Sequence, residues 1–141
     1  MQAESVRFDP ARLEDFALVV EVGDSLSEDG LTRVRVDGDG RIVVEQEPQR
    51  EATPRAHAKL DRASTETLLR GASQFDWGRR FPTRPGIPDE AVVQWSLQDR
   101  QGAQLTMKTW LREAEKDASM APVLKALRKT VESSSEGRLY L

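Results

Sequence analysis

"RVRVDGDGRIVVEQ", residues Arg33 to Gln46, decides how the chain is read. Val34 and Val36 alternate with arginines, and Ile42 and Val44 alternate with Arg41 and Glu45. A period of two sends one set of side chains to a buried face and the other to solvent, so both arms read as half-buried strands. Between them stand Asp37, Gly38, Asp39 and Gly40. Asp-Gly supplies the positive-φ residues of a two-residue primed turn, so the stretch reads as an antiparallel hairpin. A calcium loop competes with that reading. Started at Asp37, an EF-hand would place Arg41 where the fifth position needs an oxygen ligand, Ile42 where the sixth needs glycine and Pro48 where the twelfth needs glutamate. A cation at a ligand position excludes it. A weak surface site built from Asp37, Asp39 and the acids of "SEDG" (Ser27 to Gly30) has no support in the spacing.

Outward from the hairpin, turn formers mark the boundaries. Asp9 followed by Pro10 is a helix-start signature. It predicts a short turn or helical start, then a strand from about Phe16 to Gly23. "GDSLSEDG" (Gly23 to Gly30) and "PQREATPRA" (Pro48 to Ala56) read as loops. Ala56, Ala58 and Leu60 alternate, and extend the sheet if they pair. Ser64 is the expected N-cap of a helix with Glu66 in its first turn, an apolar face of Leu68, Leu69, Ala72 and Phe75, and an end at Gly78. "RRFPTRPGIPDE" (Arg79 to Glu90) carries three prolines and cannot be regular structure. Val93, Trp95 and Leu97, then Leu105, Met107, Thr109 and Leu111, alternate on either side of "DRQG" (Asp99 to Gly102), a second hairpin. Residues 112–120 are polar and in part helical. Pro122 opens a last helix in which Val123, Leu124, Leu127 and Val131 share a face, and "SSSEG" (Ser133 to Gly137) closes it.

The expected fold is α+β: an antiparallel sheet of about five strands with two helices packed on one face, in the order β-β-β-α-β-β-α. With 141 residues the chain forms a single domain, 1–141, in which 1–15 and 134–141 are flexible or docking termini. A chain of this size supports a core without staples. That matters because it has no cysteine, which rules out disulfides, thiol catalysis and thiolate metal sites. The net charge of −3 speaks against general nucleic-acid binding. Met1 to Pro10 is polar and the longest apolar run is Phe16 to Val20, so a cytoplasmic protein without membrane contact is expected. Charge is uneven: residues 1–47 hold 12 acidic and 5 basic side chains, and 48–88 hold 4 and 8. The middle of the chain therefore suits an acidic partner, or simply solvates a loop.

Few residues offer chemistry. His57 is the only histidine and reads as a surface or sheet-edge residue rather than part of a triad or a zinc site. Asp89 and Glu90 are adjacent, and adjacent residues at a strand entry point to opposite faces, which suits a solvated entry better than a glycosidase pair. No glycine-rich phosphate loop is present, and no cofactor is expected. "RRFPTRP" matches an Arg-x-x-Pro-x-x-Pro pattern, which polyproline-binding domains recognise and which stiff loops also produce. Long loops on compact domains are often functional. The expected partner-binding residues are thus Arg79, Arg80, Phe81, Arg84 and Ile87, with the arginines pairing carboxylates and Phe81 as the anchor. Trp95 belongs to the buried set of its strand. Trp110 is out of phase with Leu105, Met107 and Leu111, which puts it on the other sheet face as a further contact candidate.

The order of these elements resembles the small bacterial domains typified by emfourin, the protein inhibitor of thermolysin-like proteases. The resemblance runs from "SEDG" through "VRVDGDGRIVVE", "STETLLRGASQFDW" and "PDEAVVQWSLQD" to "APVLKALRKTV", and covers most of residues 16–132. It implies a sheet with two helices on one face and a proteinaceous inhibitor; the 79–90 loop and the C-terminal extension depart from it. The chain is also similar to type III secretion chaperones, which are usually dimers, with "DPARLEDFALVV" as a first helix. The sequence therefore points to a non-enzymatic module that binds a protein. A homodimeric chaperone and a carboxylate-based hydrolase are the alternatives.

Overall fold

The computed structural model describes residues 8–23, 31–47, 55–78 and 91–134. Asp9 caps a 3-10 turn, Pro10–Asp15, by accepting from the Ala11 amide at 3.0 Å. β1 (Phe16–Gly23) follows at once. β2 (Leu31–Asp37), β3 (Arg41–Glu47) and β4 (Arg55–Lys59) then form an antiparallel meander. α1 (Arg62–Ser73) leads across to β5 (Val92–Asp99) and β6 (Gln104–Trp110), and α2 (Leu111–Lys116) and α3 (Met120–Ser134) complete the order. The six strands lie as β4-β3-β2-β1-β5-β6, every neighbour antiparallel. The first strand in sequence is therefore central and joins the meander to the second hairpin.

The expected α+β architecture is the one observed, with two corrections of count. Among the described residues there are six strands rather than about five, because Arg55–Lys59 pairs with β3. The same residues form three α-helices rather than two, because the chain turns into α2 directly after Trp110. Ala114 of α2 is buried and Glu115 pairs Arg128 of α3 at 2.9 Å, so tertiary contacts hold a helix too short to stand by itself.

Both hairpins are present, but the first turns differently from the sequence expectation. The Gly40 amide bonds the Asp37 carbonyl at 2.9 Å, and Gly40 rather than Gly38 has positive φ, +98°. The Asp99–Gly102 turn repeats this, with Gly102 bonded to the Asp99 carbonyl at 3.2 Å and at φ +93°. Each is an Asp-x-x-Gly loop whose last glycine supplies the twist. Gly38 serves another purpose. Its amide bonds the Phe16 carbonyl at 2.8 Å, and a Cβ there would collide with the Leu13 carbonyl. The hairpin tip sits flat on the 3-10 turn.

The register sorts the side chains. Leu18, Val20, Val34, Val36, Ile42, Val44, Val93, Trp95 and Leu97 face the helices and are buried. Leu68, Leu69 and Ala72 of α1 and Val123, Leu124, Leu127 and Val131 of α3 close that core. Trp95 lies against Phe75 edge to face, ring centroids 4.8 Å apart, and its Nε1–H donates to the Thr109 hydroxyl at 3.3 Å. The other face carries Glu21, Arg33, Arg35, Gln94, Thr106 and Lys108.

α1 begins earlier than its sequence suggests. Asp61, not Ser64, is the N-cap: its Oδ1 accepts from the Ser64 amide at 2.7 Å. Glu66 therefore lies beyond the first turn, where it pairs Arg70 at 3.3 Å. The helix stops at Ser73 rather than Gly78, and Phe75 is buried just after its end. Hydrogen bonds from the Ser64 amide and then the Ser64 side chain hold the Asp61 carboxyl below its ordinary range. A depressed carboxylate contributes stability above its unfolded pKa, and that contribution fades as pH falls through the folded value. Asp61→Ala is thus expected to melt below the parent at about pH 6, with the gap narrowing as the pH falls through the lowered pKa of this carboxyl. Thermal melts over that fall in pH check this; a gap independent of pH would remove the carboxylate from the explanation.

Candidate functional site

The two ends of the sheet are unlike. At one end, β2 meets β3 and β5 meets β6 through tight turns. At the other, the register aligns Glu47, Leu31, Gly23, Val92 and Trp110 in a row. That row is where β1 leaves for residues 24–30, β3 leaves for 48–54, and β5 returns from 79–90. Three long connections are thus anchored along one end of the sheet, the arrangement in which loops carry recognition.

Of the sequence-predicted residues, Trp110 is placed. It ends β6 opposite Val92, on the face away from Met107 and Thr109, as its phase required. It is half-buried. The Leu111 amide bonds the Ala91 carbonyl at 2.9 Å, so Trp110 is fastened to the base of the 79–90 connection. Arg79, Arg80, Phe81, Arg84 and Ile87 lie outside the described residues, as do Asp89 and Glu90. Trp77, just before that connection, is spoken for: its ring lies 5.6 Å from Phe75 and its Nε1–H donates to the Ala72 carbonyl at 3.0 Å.

The opposite end gathers carboxylates, and most have fixed duties. Asp37 pairs Arg35 at 2.9 Å and Asp39 pairs Arg41 at 2.7 Å. Asp99 accepts from the Gln101 and Ala103 amides, both at 2.9 Å. Asp15 faces Arg100 at 3.6 Å. The Arg41 amide, then its guanidinium, hold the Asp39 carboxyl below the ordinary range, so it stays an anion at neutral pH with no proton to donate. The strand ends that carry the "SEDG" connection are at the far end of β2 from Asp37, and no cluster of metal-binding side chains occurs among the described residues. His57 is exposed on β4 opposite Val43, a sheet-edge residue as expected.

One feature has no counterpart in the sequence reading. Beside β4, between the first half of α1 and the second half of α3, lies a groove of about 550 Å³. Ala58, Leu60, Leu68 and Ala126 form its apolar floor, with Lys59 and Lys129 at its rim. Its one local sign is Ala58, a small inward residue on an edge strand that leaves space above it.

Among the described residues no helix is long and apolar enough to cross a membrane. No protein-family model matches the chain, and no curated protein matches it.

Proposed function

We propose that this chain is a non-enzymatic module that binds a protein partner through the loop-bearing end of its sheet. Its contact residues are Arg79, Arg80, Phe81, Arg84 and Ile87, with Trp110 at their base. The observation that supports this reading is the row from Glu47 to Trp110, which anchors three long connections side by side, one of them the Arg-rich 79–90 segment. Protease inhibition is the form of binding that the emfourin-like order of elements suggests.

The test is affinity capture from native lysate, comparing the intact chain with an Arg84→Glu, Phe81→Ala double variant, followed by titration of what is captured. A partner lost from the variant is expected, with affinity falling by a factor of roughly 30 or more, as for removal of an interface anchor. Purified chain should also slow peptide hydrolysis by a thermolysin-like protease if inhibition is its role. Equal capture by both proteins would exclude this end of the sheet.

A further inference from the structure

We infer that the groove beside β4 receives an extended, acidic segment of another protein, added to the sheet as a seventh strand. This surface is separate from the loop end. β4 and Trp110's strand are opposite edges of the sheet, so either reading can fail without the other.

The two edges are finished differently. At β6 the inward residues include the large Leu105 and Met107, which pack into the core, and α2 contacts this strand with Ala114 buried. At β4 the inward residues are the small Ala56 and Ala58; Ala56 is buried in the core, and Ala58 opens on the groove between α1 and α3. A strand laid along β4 would continue the backbone ladder. Its alternate side chains would enter the groove against Leu60, Leu68 and Ala126, the geometry by which sheets capture peptides. Charged edge strands are a common guard against aggregation, and the basic residues of β4 serve that end too. A guard, however, requires no apolar groove behind it.

Charge selects the occupant. β4 reads Arg-Ala-His-Ala-Lys, basic at every second position, and Lys59 and Lys129 stand at the groove rim. A second copy of β4 would bring a strand that carries bases and no carboxylate, which the rim lysines do not attract. An incoming strand that alternates carboxylates with mid-sized apolar residues meets bases on one face and the groove on the other.

The test uses the full chain and two blocked peptides, one alternating Glu with Val over seven residues and one alternating Lys with Val. Backbone amide spectra are recorded during each titration. The acidic peptide is expected to shift Ala56, Ala58 and Leu60 and leave the Trp110 side chain unmoved. The basic peptide should bind at least about tenfold more weakly, and a Lys59→Glu, Lys129→Glu variant should lose about tenfold for the acidic one. Both lysines are exposed, so the variant keeps its core. Equal binding of the two peptides, or shifts confined to other surfaces, overturns the proposal. So does movement of Leu139, Tyr140 and Leu141 together with Ala58, which would give the groove to the chain's own tail. Dimerisation through β4 without peptide would do the same.

Discussion

Trp95→Ala is expected to cost about 4 kcal/mol, the scale of a large aromatic removed from a closed core. Three losses combine. The indole is fully buried between the central strands and the helices. Its edge-to-face contact with Phe75 disappears, and the Thr109 hydroxyl, 1% exposed, loses the N–H that reaches it. Domains of this kind are stable by only about 5–15 kcal/mol, so the variant sits near the threshold of folding. Urea unfolding followed by circular dichroism measures it. Trp95→Phe keeps most of the volume and drops the hydrogen bond, so its smaller loss separates packing from polarity. A Trp95→Ala midpoint close to the parent's would mean that the core collapses freely around this site, contrary to the packing described.

Gly38→Ala adds one methyl group and is expected to cost about 3 kcal/mol, the upper range for forced overpacking. The new Cβ would overlap the Leu13 carbonyl, which is backbone and has no rotamer to change. Either the hairpin tip lifts and breaks the Gly38–Phe16 hydrogen bond, or the 3-10 turn is pushed away from the core that buries Leu13. Gly102→Ala is the control. It occupies the matching turn at φ +93° with open space around it, so it carries only the conformational cost, about 1 kcal/mol. Equal losses in the two variants would show that backbone conformation, not the close approach to Leu13, governs the first turn.

The hairpins, β1 and its Asp9-Pro10 start were legible because each rests on a local signal: period-two apolar residues, turns that run from an Asp to a Gly and a proline at a helix start. β4 and α2 were harder for the same reason in reverse. Two alanines carry little strand preference, and β4 forms because β3 offers it a ladder. Six residues are too few to show a helical period, and α2 forms because α3 is beside it. Asp61 was passed over for Ser64 because both residue types cap helices, and only the path out of β4 decides between them. Trp110's face followed from its phase. Its place at the foot of the 79–90 connection depends on the pairing of β5 with β6 and on the Ala91–Leu111 hydrogen bond. The groove had no sign in the sequence beyond the small Ala58, since it arises from residues of β4, α1 and α3 that meet only in three dimensions.

The position of β1 also bears on synthesis. Its partner β2 emerges from the ribosome almost immediately, whereas β5 pairs with it from Val92 to Asp99 and comes far later. A meander that formed in that interval would present β1 as an unpaired, valine-rich edge. Non-local pairing of this kind slows folding and leaves a newborn chain open to association. Docking of the β5–β6 hairpin is what covers this edge, and translation must run well past Asp99 before it can occur.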